Sequence, residues 1–137
     1  MIIVSSCLAG CHCRYDGDSK PNEKVINLVA DGKALPVCPE QLGGLPTPRL
    51  PAEQRGNKVY RNDGVDVTYE FEKGAREALR LAKLVNARQA ILKARSPSCG
   101  SGEVYDGSFN GILIKGNGIF AGLCKKEGIT VRTEEEI

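Results

Sequence analysis

Three short, largely apolar runs in this chain each stop at a loop that carries a cysteine. Met1–Val4 is followed by Ser5, Ser6 and Cys7. Ala34–Val37 is followed by Cys38 and Pro39. Gln89–Ala94 is followed by the Gly/Ser/Pro-rich stretch Arg95–Gly102, which holds Cys99. Short apolar runs bounded by Gly, Ser and Pro read as buried strands. Helical patterns lie between them. Asn22 can cap a helix reaching about Asp31, with Val25, Ile26 and Val29 on one face and Gly32 as its stop. Phe71, Ala75, Ala78, Leu79, Ala82 and Val85 recur at helical spacing over 68–86. Residues 117–127 read as a last helix with Phe120, Leu123 and Cys124 inward, and Ile129–Arg132 as a fourth strand. This alternation predicts an α/β fold: a single three-layer Rossmann-like domain over residues 1–137 with a mainly parallel sheet. Asn62-Asp63-Gly64 predicts a small hairpin insertion within 58–65, and Ile112–Ile114 an added strand. Residues 39–57 contain Pro39, Pro46, Pro48 and Pro51 and show neither period, so a stiff functional loop is expected there, and the closing EEEI reads as a solvated tail.

In a parallel sheet the carboxyl ends of all strands open on one side, and ligands bind in the crevice there. Cys7, Cys38 and Cys99, distant in sequence, are therefore brought to one place by topology alone. Three converging thiolates repel one another unless a cation holds them, so a metal ion or an iron–sulfur cluster is the natural occupant. A structural zinc site usually takes four ligands, often from close-spaced pairs. Cys11-His12-Cys13 is close-spaced, but no second such pair exists. Three Cys with one position left open suit an iron–sulfur cluster equally well, and spacing does not choose between the two. Cys13 is a fourth candidate ligand. Cys11 reads as incidental, His12 as a loop residue, and Cys124 as a core residue on an apolar helix face.

The compartment bears on this reading. The chain has six Cys, and its N-terminus lacks the basic lead and cleavage pattern of a signal peptide, so a cytoplasmic location with reduced thiols is expected. That disfavours a disulfide framework. Lys and Arg total 19 against 17 Asp and Glu, for a net charge of +2, and Trp is absent. Neither a nucleic-acid-coating surface nor an aromatic stacking platform follows from such a composition. No apolar run reaches the roughly 18 residues of a membrane span.

Other polar groups fall at the same mouth. Glu40, two residues past Cys38, suits a general acid or base; the competing reading is a solvated loop carboxylate. Ser96 and Ser98 precede Cys99 and can bond a substrate or orient water, or merely form the turn. Arg49 and Arg95 are candidates for contacting an anionic group on the substrate. No Walker or dinucleotide glycine motif is present. Three readings remain open on these residues: an iron–sulfur enzyme, a structural zinc module, and a metal-free enzyme with a thiol nucleophile.

The segments SSCLAGCHCRYDG (5–17), VCPEQLGGLPTPRLPAE (37–53), AILKARSPSCGSGEVYDGSFNG (90–111) and the closing GLCKKEGITV resemble the short, stand-alone form of the thiouracil desulfidase family over essentially the whole chain. CPEQLGGLPTPR and SPSCG are the specific parts. The resemblance implies a [4Fe–4S] cluster held by three Cys, here Cys7, Cys38 and Cys99, with a fourth iron free to take the departing sulfur. It implies Glu40 as acid/base and Ser96 as a substrate-positioning or proton-relaying hydroxyl. The expected substrate is a small thiolated base, nucleoside or nucleotide, converted without redox change to its oxo form and hydrosulfide. The long fused relatives tend to carry an apolar residue where this chain has Cys13, which leaves the role of Cys13 open.

Overall fold

A computed structural model describes residues 1–137. In chain order the elements are β1 (Ile2–Ser5), α1 (Glu23–Ala30), β2 (Ala34–Val37), α2 (Pro39–Leu42), β3 (Ala52–Arg55), β4 (Lys58–Arg61), α3 (Thr68–Leu84), β5 (Gln89–Leu92), β6 (Glu103–Tyr105), β7 (Leu113–Lys115), α4 (Ile119–Lys126) and β8 (Thr130–Thr133), with 3-10 turns at Ser6–Ala9 and Glu134–Glu136. Four strands form one parallel sheet in the order β2-β1-β5-β8. The chain leaves β1 toward one edge and later returns to its other side, so the order reverses between β1 and β5. That reversal is where open α/β sheets bind ligands.

Alternation along the strands builds the three layers. Ile3, Ala90 and Leu92 face a core with Ala78, Leu79 and Phe120 from α3 and α4. Val4 and Ile91, one residue out of phase, face the other side, where Val25 of α1 and Leu8 cover them. Asn22 caps α1, its side chain accepting from the Val25 amide at 3.3 Å. Of the apolar face expected for α1, only Val25 is fully buried; Ile26 is 38% exposed. No helix is long and apolar enough to cross a membrane.

Several local expectations are corrected. The principal hairpin pairs β3 with β4 around Gly56-Asn57, upstream of the expected one. The Asn62-Asp63-Gly64 turn does form, but it closes only a single bridge, Tyr60 to Asp66. A left-handed glycine suits either turn, and β3 carries no alternating apolar pattern that would have revealed it. A second hairpin pairs β6 with β7, using the expected strand near 112–114. The stiff segment begins with the short helix α2, with Pro39 at its first position, where the missing amide costs nothing. The acidic tail is a capped 3-10 turn. Glu134 accepts from the Ala94 amide at 2.7 Å and pairs with Lys93 at 2.9 Å.

Helix α2 is seated on α3 through two glycines. A methyl group built on Gly43 would overlap the Glu70 carbonyl oxygen, and one on Gly74 would overlap the Pro39 carbonyl oxygen. The two backbones therefore touch, and this contact sets where Glu40 stands. In an open helix, Gly74→Ala would gain about 1 kcal/mol of helix propensity. Here the methyl must push α2 away, and overpacking of this kind costs about 1–3 kcal/mol. Gly74→Ala should lower the denaturant midpoint; a raised midpoint would show that α2 is free to move off α3.

Candidate active site

The parallel register brings the loop starts into line. Ser5 is level with Val37, and Val4 with Ile91, so Cys7 lies two residues past the edge of the sheet and Cys38 one. The third loop, Arg95–Gly100, is held by α4. The first amides of that helix have no partners within it. Ile119 donates to the Pro97 carbonyl at 2.9 Å, and Phe120 and Ala121 donate to the Ser98 carbonyl at 2.8 and 3.1 Å. Gly118 makes this possible, since a Cβ there would strike the Ser98 backbone.

These loops surround a cavity of about 500 Å³, within the ordinary range for small-molecule sites of roughly 300–1,000 Å³. Cys7, Cys38 and Cys99 line it together, as do Glu40, Ser96 and Ser98. Cys13 joins them, 4% exposed, while Cys11 is exposed and Cys124 is enclosed in the core. The two hairpins form the outer wall. Gln54 of β3 donates to the carbonyls of Pro97 and Asn117, at 2.9 and 2.8 Å. Glu53 accepts from the amides of Gly107 and Phe109, at 3.0 and 3.1 Å. Neither strut was legible in the sequence, where Glu53 and Gln54 look like ordinary surface residues.

One hydrogen-bonded chain crosses the cavity. Arg49 Nε donates to Glu40 Oε1 at 3.0 Å, and Ser98 Oγ donates to Glu40 Oε2 at 3.0 Å. Ser98 Oγ also lies 3.1 Å from Ser96 Oγ and 3.6 Å from Cys99 Sγ. Ser96 Oγ accepts from the amides of Ser98 and Cys99 at 3.2 and 3.1 Å, which leaves its own proton for Ser98 or the cavity. Sequence reasoning placed Ser96 foremost; it is Ser98 that touches Glu40 directly. Arg95 lines the cavity, but its guanidinium is engaged by Glu135 at 3.0 and 2.7 Å and approached by Glu103 at 3.5 Å.

Three of the cavity thiols, Cys13, Cys38 and Cys99, are shifted toward their neutral form. Burial pushes Cys99 up to about 12, against hydrogen bonds from Ser5 and Ser98 that act the other way. Cys38 is pushed higher still, first by its hydrogen bond with Cys13 and then by burial. For Cys13, the bond with Cys38 lowers its value, but the bond with Cys7, burial and charge from Cys7 and Cys11 outweigh it and raise the thiol to about 12. No three His, Cys, Asp or Glu side chains gather as one metal ion requires. Cys7, Cys38 and Cys99, from three loops, line one cavity, a donor set that suits an iron–sulfur cluster.

The chain is similar to several known proteins. A family model described as 2-thiouracil desulfurase matches residues 2–136. An uncharacterized protein of Bacillus subtilis (strain 168), YbbK, is 46% identical over 147 residues, spanning 100% of this chain and 97% of that one. The solved structure of the [4Fe-4S]-dependent thiouracil desulfidase TudS (DUF523Vcz) superposes with a TM-score of 0.95 at 48% identity, covering 99% of this chain and 91% of that one.

Buried neutral thiols link stability to pH. Burial, with Cys99 as a lesser neighbour, raises Cys124 from 9.0 to about 12. A group raised on folding contributes stability that is fully present below its unfolded value and is lost as the pH rises through its folded value. Reduced, metal-free protein should therefore lose thermal stability between about pH 9 and pH 12. Cys124→Ala should remove part of that slope even as it lowers the baseline. An unchanged slope in the variant would mean that the Cys124 thiol does not titrate on unfolding.

Proposed function

The chain belongs to the 2-thiouracil desulfurase family, and from that premise we propose that it removes sulfur from a thiouracil-type base, nucleoside or nucleotide. The products are the oxo form and hydrosulfide. The observation that carries this reading is the meeting of Cys7, Cys38 and Cys99 in one cavity with Glu40, Ser96 and Ser98 in hydrogen-bond reach of one another. In this reading residues 1–137 act as one unit, and Cys7, Cys38 and Cys99 hold a [4Fe–4S] cluster. Bound there, the cluster supplies an iron of Lewis-acid character with affinity for soft sulfur.

The protein's own groups then handle water and protons. The net change replaces one C=S bond by C=O, consumes one water, and moves no electrons. Glu40 Oε1 is tied to Arg49, so Oε2 is the atom that takes a proton from the attacking water, directly or through Ser98 Oγ. Ser96 Oγ, fixed by two backbone amides, returns a proton toward the departing sulfur along the same hydroxyl pair. Ser98 also serves as a substrate contact. Ala52 and Glu53 of β3 and Tyr105 of β6 line the same cavity.

The other readings are weaker on physical grounds. A structural zinc module usually takes four ligands, whereas the similar solved structure is described as [4Fe-4S]-dependent. A metal-free nucleophile needs a thiolate near neutral pH, whereas Cys13 and Cys99 are raised to about 12. A small thiolated molecule as partner follows from the family, and a reducing, cytoplasmic setting would keep thiols available as ligands.

Anaerobic reconstitution tests the proposal. Protein with about four irons and four sulfides per chain should convert thiouracil or its nucleoside or nucleotide forms to the oxo product. Alanine at Cys7, Cys38 or Cys99 should abolish cluster retention, and Glu40→Ala should keep the cluster while losing about two to four orders of magnitude in rate. Stoichiometric zinc without acid-labile sulfide would remove the reading, and normal turnover in Glu40→Ala would remove Glu40 from it.

A further inference from the structure

Arg49 is the most enclosed of the cavity's ion-paired cations. Its side chain is 6% exposed, against 19% for Lys93, 22% for Arg14 and 30% for Arg95. A guanidinium offers five N–H donors in a rigid fork. Nε donates to Glu40 Oε1 at 3.0 Å. Nη1 donates to Thr47 Oγ1 at 2.9 Å and to the Pro46 carbonyl at 3.1 Å. Nη2 donates to the Cys13 carbonyl at 2.9 Å. Four of the five donors are thus taken by the chain itself. Binding a phosphate or carboxylate through the fork needs two parallel donors, and only one hydrogen is left. The substrate-contact role that the sequence offered for Arg49 has no free fork to act through.

The partners of Arg49 show what it does instead. Its backbone amide donates to the Tyr15 carbonyl at 2.8 Å, so residue 49 grips the Cys13–Tyr15 loop by main chain and side chain. Through Glu40 it grips α2, and Gln41 of the same helix meets it at Thr47 Oγ1. The Cys13 carbonyl it holds also lies 3.9 Å from the Cys38 thiol. One side chain therefore ties the loop that follows Cys7 to the helix that follows Cys38. It also orients the Glu40 carboxylate, engaging Oε1 and leaving Oε2 on Ser98.

We propose that Arg49 is a positioning residue of the desulfidation, holding Glu40 and the Cys13 loop in one frame; the inference rests on the function argued above. Lysine is no substitute, because a single ammonium cannot reach Glu40, Thr47 and Cys13 together.

Two mutant cycles test it, using Arg49→Lys, Arg49→Met, Glu40→Gln and the double variants. In reconstituted protein, Arg49→Lys should keep iron and sulfide content. It should lower kcat about a hundredfold, the scale of a small misplacement of a catalytic group, with KM moved less than about threefold. In the Glu40→Gln background, changing Arg49 should add little further loss. Losses that simply add, or a raised KM with kcat preserved for substrates bearing an anionic group, would overturn the proposal. Denaturant unfolding of the metal-free variants reads the pair without turnover. Arg49→Met and Glu40→Gln should each lower the midpoint, and their combination should fall short of the sum. Additive midpoints also sink the proposal. If wild-type protein turns over no thiolated pyrimidine, the functional reading fails, and the unfolding cycle still judges the frame.

Discussion

The parallel hydrogen bonding of β1 between β2 and β5 is the constraint on which the site depends. It sets Ser5 level with Val37 and Val4 level with Ile91. The side-chain period of a strand is two, so a slip of one residue would turn Ile3 and Val4 to the wrong cores. Both faces of β1 are packed, with Ile3 and Val4 fully buried. The register is therefore fixed by burial on both sides, and the cysteines inherit it. Cys7 and Cys38 need no long-range signal of their own; they follow strands whose ends are already aligned.

What the sheet does not fix is the aim of the loops beyond it, and here close backbone contact takes over. α2 is only four residues long and too short to be stable by itself. It persists because Gly43 and Gly74 let its backbone rest on α3, which has a strong apolar face of its own. The Ser96–Gly100 loop uses a different device, lending its carbonyls to the unpaired amides of α4 across Gly118. In both cases a side-chain-free position removes the space in which the loop could wander. The placing of Glu40 and Ser98 thus depends on α3 and α4, which themselves contribute no side chain to the cavity.

This explains which parts were legible from residues alone. The strand ends were, because short apolar runs stopping at Gly, Ser and Pro are a local signal, and the convergence of Cys7, Cys38 and Cys99 followed from topology. So was α3, whose apolar spacing spans most of its length. The principal hairpin was missed because β3, Ala-Glu-Gln-Arg, carries no alternation; its residues serve as struts to the neighbouring loop rather than as a core face. Ser98 looked like a second turn-forming serine beside Ser96, and only the fold shows that it, not Ser96, reaches Glu40. The tail looked solvated because three glutamates in a row usually are. The fold places Glu134 and Glu135 against Lys93 and Arg95, across a distance in sequence that no local pattern encodes.

Charge is the last term that ties these parts together. Hydrogen bonds between thiols and burial shift Cys13, Cys38 and Cys99 toward their neutral form, while holding a metal cluster requires thiolates. The positive charge of a bound cluster would offset most of the thiolate charge, and the negative remainder would lie in a space that also holds the carboxylate of Glu40. A cation at hydrogen-bond distance balances such a remainder better than distant, screened surface lysines do. Arg49, enclosed and always protonated, answers that requirement at short range, and its fork geometry makes the same contact directional. The interaction that makes the negative charge tolerable is thus also the one that points Glu40 Oε2 at Ser98. Removing Arg49 would therefore take away the counter-charge and the orientation of Glu40 together.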